Sequence, residues 1–288
     1  MANELAKRVA VAAVGIPLAV AVLYYGGWIL AALLSIICVI GSFELARIAR
    51  AKEVYPSAIL MAVFSIAFIA LAAALPNPVR SAPWFWFLTT LLAIVSLTMA
   101  IWTRGVEGKP LSSAAVTVFG TILLGGTLSY AMFLRQSQSV PRDGLLLVFY
   151  PLAVTWINDT FAYFGGRTFG KHKMIPHVSP GKTWEGTFSG MVGAVLTSML
   201  YSRIVFENTL DMPIPIYAAG IAGVVLSIAA VVGDLAESLL KREAGVKDSG
   251  TLLPGHGGVL DRFDALFFTI PVAFWFIVLM LAMNGGSR

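Results

Sequence analysis

The sequence predicts an all-α, polytopic integral membrane protein with about nine membrane-spanning helices and a cytoplasmic N-terminus. Three observations carry this reading. The 288-residue chain is 58% hydrophobic and only 12% charged, against ~25% charged in a soluble domain. So few charges cannot clothe a water-facing surface, and lipid must be the main solvent. The apolar residues come in continuous runs near the ~20 residues that a helix needs to cross the hydrocarbon, without the alternation of a lipid-facing barrel. The basic residues are unevenly divided between alternate connections.

The runs cover Val9–Tyr25, Trp28–Phe43, Ala58–Leu75, Trp84–Trp102, Ala114–Leu134, Leu145–Gly165, Gly186–Phe206, Ile216–Leu235 and Phe263–Met283. The first lacks a small-residue cleavage site and is expected to be a retained span. With Lys7 and Arg8 placed in the cytoplasm, fifteen of the twenty Lys and Arg residues fall on that side. Arg80, Arg135, Arg142, Arg203 and Arg288 remain for the other. A bias of this size in short connections sets orientation. The net charge of +5 is scattered through these connections, which fits contact with anionic headgroups better than with nucleic acid. A lone cysteine, Cys38, excludes an internal disulfide and any cysteine-rich metal site.

Polar chemistry is concentrated late in the chain. The first five spans are nearly bare of acids, whereas Asp159, Glu185, Asp234, Glu237, Asp248, Asp261 and Asp264 fall in two cytoplasmic connections and the helix ends that feed them. Residues 1–135 are therefore expected to serve packing or dimerisation, and residues 136–288 to form the catalytic region. Asp159 stands inside an apolar segment, where an ionisable side chain is costly and marks a function unless it bonds within the bundle. Downstream come Tyr163, Gly166-Arg167 and the stretch Ser179-Pro180-Gly181-Lys182-Thr183-Trp184-Glu185-Gly186. That stretch lacks the spacing and preceding strand of a P-loop. Its small residues nevertheless admit backbone N–H groups to a phosphate, and Lys182 adds charge. Asp159, Arg167, Ser179 and Lys182 are candidate substrate-binding residues.

The second connection is expected to begin near Gly233-Asp234. Asp234 and Ser238, four apart, share a helical face; Asp261 and Asp264, three apart, share another at the start of the ninth span. Carboxylates so placed suit Mg²⁺, which takes one or two of them with phosphate oxygens and waters. Lys241, Arg242, Lys247 and Arg262 flank them, and Asp248 adjoins Lys247. A salt-bridge network would account for the charges but needs no glycine turn. Gly255, Gly257 and Gly258 around His256 permit close backbone approach to a ligand. Together these features describe a site for metal-bound polyphosphate. For His256, phosphate contact or a turn role is favoured over metal binding, since no His-x-x-x-His pair supports a zinc site. Ser238 lacks the Gly-x-Ser-x-Gly elbow of a hydrolase nucleophile.

The run Ser238-x-x-Lys241-Arg242, then Lys247-Asp248, then His256-Gly257-Gly258-x-x-Asp261-Arg262-x-Asp264 resembles the signature of the phosphatidate cytidylyltransferases, the CDP-diacylglycerol synthases. Asp159, Tyr163, Gly166-Arg167 and the Ser179–Gly186 stretch also resemble that family, so the likeness is specific over Trp156–Asp264. It implies the reaction of CTP with phosphatidate to give CDP-diacylglycerol and pyrophosphate. It further implies Mg²⁺, with a monovalent cation such as K⁺, and a homodimer. By the same resemblance Asp234 and Asp261 are the metal ligands, with Ser238 close by.

Those roles make chemical sense. The lipid phosphate is already a nucleophile, so the protein supplies positioning and charge stabilisation. Lys241, Arg242, Lys247 and Arg262 are expected to hold phosphates. Asp248 and Asp264 orient those cations or hold metal through water, and Lys182 and Arg167 grip the phosphatidate headgroup. A bacterial inner membrane, with the active site facing the cytoplasm, is the expected location. Two rivals stand beside this reading. A transporter would place its charges at the midplane and show repeat symmetry, and a CTP-dependent polyprenol kinase would transfer the γ-phosphate to a hydroxyl.

Overall fold

The computed structural model describes residues 17–138, 140–212, 214–250 and 257–285. Its helices, in chain order, are α1 (residues 17–25), α2 (Gly27–Arg50), α3 (Ala58–Ala74), α4 (Pro78–Thr103), α5 (Pro110–Gln136), α6 (Pro141–Phe169), α7 (Trp184–Glu207), α8 (Ile216–Glu243), α9 (Leu260–Phe263) and α10 (Leu266–Gly285). Two short strands, β1 (Lys173–Ile175) and β2 (Ser179–Thr183), form an antiparallel hairpin between α6 and α7. The chain is thus an all-helical, multi-pass membrane protein.

Seven described helical segments are long and apolar enough to cross a membrane: α2, α4, α5, α6, α7, α8 and the α9–α10 run Leu260–Met283. Each contains one of the expected spans. α3 is apolar but has 17 residues, the lower end of what a crossing requires. Of the first expected span, residues 9–16 lie outside the described residues and 17–25 form α1.

Local signals set several of the boundaries. The Ser57 hydroxyl accepts from Leu60 N at the start of α3, and the Asn77 side chain accepts from Val79 N and Arg80 N ahead of Pro78 in α4. Thr183 accepts from Gly186 N and opens α7. Such caps satisfy amide donors that have no partner within the helix. Helix ends run past the apolar cores because the backbone ladder is indifferent to side-chain polarity. In α8 this matters most. Asp234, Ser238, Lys241 and Arg242 are helical residues, where a connection was expected from Gly233 onward.

The described residues form two compact units. The first comprises residues up to Pro141 together with Leu240–Phe263; the second comprises Arg142–Leu239 and the residues from Asp264 onward. The signature segment Leu240–Phe263 thus belongs to the first unit, with the N-terminal helices.

In the first unit, Leu30, Leu34, Cys38, Met61, Phe68, Leu92, Leu124 and Met132 are buried. Arg135 is also buried, and its guanidinium donates to the carbonyls of Leu23 and Tyr24. It thereby closes the end of α1, whose carbonyls lack helical partners. α4 buries only Ser81, Leu92, Ser96 and Ala100, leaving Trp84, Trp86 and Trp102 exposed. An apolar helix so little covered by protein is suited to lipid as its solvent.

The second unit is held by buried polar contacts between helices. Tyr150 Oη and Ser198 Oγ are 2.7 Å apart, and Ser198 Oγ donates to Ala219 O at 2.6 Å. Thr155 meets Thr269 at 3.1 Å. Ser227 Oγ donates to Asn158 Oδ1 at 2.7 Å, linking α8 to α6. In hydrocarbon, where no water competes, such bonds align helices that apolar contacts alone would leave free to rotate.

Candidate active site

The candidate residues gather in two clusters, one in each unit. In the second unit the hairpin carries Lys182 to α8. Its ammonium pairs with Asp234 Oδ2 at 2.7 Å and donates to Val231 O at 3.3 Å. The other oxygen of Asp234 accepts from Ser238 Oγ at 3.3 Å, one helical turn along. Asp159 on α6 lies within electrostatic reach of both Asp234 and Lys182. Its carboxylate accepts from Asn158 Nδ2 at 3.1 Å, and Asn158 is anchored by Ser227. Two acids and a lysine therefore influence one another electrostatically in this unit.

Glu185, at the start of α7, shapes the entrance to the hairpin. It accepts from the backbone amides of Lys171 and His172 and meets His172 Nδ1 at 2.5 Å. Arg167, expected at the lipid headgroup, is exposed and donates to Tyr163 Oη at 3.0 Å within α6. Ser179 opens β2 opposite Ile175.

In the first unit the centre is Asp261. Its Oδ1 pairs with Lys241 Nζ at 2.6 Å, and the two side chains are only 10% and 12% exposed. Its Oδ2 accepts three more bonds, from Ser249 N at 2.9 Å, Ser249 Oγ at 2.9 Å and Gly258 N at 2.8 Å. A buried charge is tolerable only when paired and hydrogen-bonded, and Asp261 meets both conditions. Arg242, Lys247, Asp248 and Arg262 are exposed. Asp264, in the second unit, accepts from Ala265 N at 2.7 Å at the entry to α10. His256 lies outside the described residues, as do Pro254 and Gly255.

Gly257 and Gly258, expected to admit a ligand to the backbone, lie against the protein's own carboxylates. Gly257 has φ of +78°, and a Cβ there would sit 2.7 Å from Asp261 Oδ2. A Cβ on Gly258 would strike Ser249 Oγ and lie 2.5 Å from Glu44 Oε1. Gly258→Ala is expected to destabilise the protein by about 1–3 kcal/mol through overpacking and to depress activity with it. Thermal unfolding in detergent measures the first effect.

Sequence reasoning missed Glu44 and Ser249. Glu44 is buried in α2, and its carboxylate accepts from Ser249 Oγ, Val259 N and Leu260 N. One signal for it was present, an acid set among Phe43, Leu45 and Ala46. In the structure Glu44 falls on the buried stripe of α2 with Leu30, Leu34, Ile37, Cys38, Gly41, Leu45 and Ile48.

Among the described residues no three His, Cys, Asp or Glu side chains converge as a metal cage. The donor chemistry still fits Mg²⁺, which draws one or two carboxylates from a protein and takes phosphate and water oxygens for the rest. Asp234, 42% exposed at its side chain and beside the Ser238 hydroxyl, is a hard oxygen donor of that kind.

Comparison with known proteins agrees with this chemistry. The model of the cytidylyltransferase family matches residues 6–280. A phosphatidate cytidylyltransferase of Synechocystis is 32% identical over 300 residues, covering 96% of this chain and 97% of that protein. Shorter matches are stronger in identity. The phosphatidate cytidylyltransferase of Haemophilus influenzae is 44% identical over 49% of each chain. An uncharacterized Escherichia coli protein, YnbB, is 42% identical over 58% of this chain and 54% of its own length. The chain thus spans about half the length of these last two relatives and nearly all of the first.

Proposed function

Since this chain belongs to the cytidylyltransferase family, we propose that it is a phosphatidate cytidylyltransferase, converting CTP and phosphatidate to CDP-diacylglycerol and pyrophosphate. The observation that carries the proposal is the pair of acid–lysine clusters, Asp234 with Lys182 and Asp261 with Lys241. Both are built from residues of the family-like motifs. Each holds a carboxylate beside an ammonium, the donor set that a metal-bound phosphate requires.

In the reaction a phosphatidate oxygen forms a bond to the α-phosphorus of CTP. The bond from that phosphorus to the bridging oxygen of the β-phosphate breaks, and pyrophosphate leaves with the electron pair. The attacking phosphate is already ionised, so no side chain need act as base or nucleophile. Asp234, with Ser238, and Asp261 are the proposed Mg²⁺ ligands. When bound, Mg²⁺ would neutralise triphosphate charge as the pyrophosphate develops. Lys241, Arg242, Lys247 and Arg262 are assigned to phosphate oxygens, and Asp248 and Asp264 to orienting those cations. Lys182 and Arg167 are assigned to the lipid phosphate; Asp159 sets the local charge around Lys182. His256 is assigned to phosphate contact or to its glycine-rich turn.

The same reading includes nine spans, a cytoplasmic N-terminus and an active site at the cytoplasmic face of a bacterial inner membrane. The distribution of Lys and Arg supports the orientation. A homodimer and a monovalent cation such as K⁺ are proposed on family resemblance.

The test uses purified protein in detergent with phosphatidate, Mg²⁺ and CTP labelled at either the α or the γ phosphate. The proposal expects α-label alone in the lipid product, and none after chelation. γ-Label in the lipid would identify a CTP-dependent kinase instead. No lipid label from either, in folded protein, would remove the assignment.

A further inference from the structure

We propose that Glu44, on the N-terminal helix α2, is a positioning residue for Asp261, acting through Ser249 and the amides that precede Asp261. The inference rests on the function proposed above and extends it to a region whose expected task was packing or dimerisation.

Glu44 is 8% exposed on the buried stripe of its helix. A carboxylate there is strongly disfavoured unless its oxygens are satisfied, and the satisfaction it receives is specific. Glu44 Oε1 accepts from Val259 N at 3.0 Å. Glu44 Oε2 accepts from Leu260 N at 2.9 Å and Ser249 Oγ at 3.0 Å. Val259 and Leu260 immediately precede Asp261, at the start of α9.

Ser249 makes the link direct. Its hydroxyl lies 3.0 Å from Glu44 and 2.9 Å from Asp261 Oδ2. One hydroxyl proton serves two carboxylates, so the two bonds are coupled. One turn beyond Glu44, Arg47 donates to the carbonyl of the same serine. Helix α2 thus grips Ser249 by both its side chain and its backbone. Gly250 and Gly258 leave the space: a Cβ on either would meet the Glu44 carboxylate.

The consequence concerns which oxygen of Asp261 is presented. Glu44 holds the donors that occupy Oδ2, which leaves Oδ1 turned toward Lys241. In the proposed reaction Oδ1 is then the oxygen that would meet the metal, beside the Lys241 ammonium. Partners that orient metal-ligating carboxylates typically change metal affinity or activity 10–100-fold when mutated.

The experiment compares purified wild-type protein with Glu44→Gln, Ser249→Ala and Cys38→Ala. The last is a control that opens a cavity in the same helix away from the site. Three quantities are read: kcat per folded enzyme, the Mg²⁺ concentration for half-maximal activity, and Mn²⁺ affinity by electron paramagnetic resonance without substrate. Glu44→Gln and Ser249→Ala are expected to lower kcat about 10–100-fold and to weaken Mg²⁺ activation and Mn²⁺ binding. Cys38→Ala lowers the melting temperature and leaves both metal constants unchanged. If Glu44→Gln behaves like Cys38→Ala, its role is structural and the proposal is overturned. Should the wild-type protein form no CDP-diacylglycerol, the reaction assigned above fails on its own. Weaker Mn²⁺ binding in Glu44→Gln then still supports the positioning role, and unchanged binding overturns it.

Discussion

Asp261→Asn reduces CDP-diacylglycerol formation by about 10³-fold or more while the protein continues to insert into the membrane. The size follows from what a preorganised charge contributes in a dry site and from the geometry around this carboxylate. Both oxygens accept, Oδ1 from Lys241 at 2.6 Å and Oδ2 from two backbone amides and a hydroxyl. Asparagine has one acceptor and one donor group. In either orientation its NH₂ meets donors that cannot accept from it, the Lys241 ammonium at one position or the Ser249 and Gly258 amides at the other. The variant also loses the negative charge that balances Lys241 and would hold the metal. The check is the α-labelled CTP assay, with membrane insertion and the melting temperature followed in parallel. Near-normal turnover would exclude Asp261 from the site.

The second large effect is on stability. Lys241→Met leaves the Asp261 carboxylate buried without its counter-ion. Breaking a buried pair by removing one partner costs about 3–5 kcal/mol, so a marked fall in melting temperature is expected together with loss of activity. Lys182→Met offers a contrast within the same protein. It breaks a pair of similar length, but the side chains are 21% and 42% exposed, against 12% and 10% for Lys241 and Asp261. Solvent screening keeps the stability cost of such a pair near 0–1 kcal/mol. Lys182→Met is therefore expected to melt nearly like wild type and to show its defect as a raised KM for phosphatidate. Equal destabilisation by the two changes would contradict the burial difference on which this rests.

The lysine pairs also show where sequence reasoning stopped. Lys182, Asp234, Lys241 and Asp261 were each singled out, but the sequence does not say which acid meets which base. Asp234 was expected with the metal and Lys182 with the lipid; in the structure they bond to each other. That contact depends on the β1–β2 hairpin, which the short, polar stretch from Lys173 to Thr183 did not announce. Strands of three and five residues are too short to show an alternating pattern.

Glu44 is the other instructive case. Its partner Ser249 lies 205 residues away, and no local spacing reports a contact of that kind. In a soluble protein the apolar stripe of α2 would have marked its inner face. Here lipid makes both faces apolar, so periodicity says little about which side packs. An acid set among Phe43, Leu45 and Ala46 is the residual sign, and it was legible only as an oddity.

The sequence by itself determined that the chain is helical and crosses a membrane. Hydrocarbon admits only segments that satisfy their own backbone, and the run lengths and scarcity of charge allow no other solution. For the membrane side that carries the basic residues it supports an expectation only, and it named the residues of the family-like motifs because those residue types at those spacings are rare. The tertiary structure alone decided the pairings: Lys182 with Asp234, Lys241 with Asp261, and Glu44 with the amides before Asp261. Hydrogen bonds and ion pairs act over about 3 Å, and only the packed helices bring residues so distant in the chain within that range.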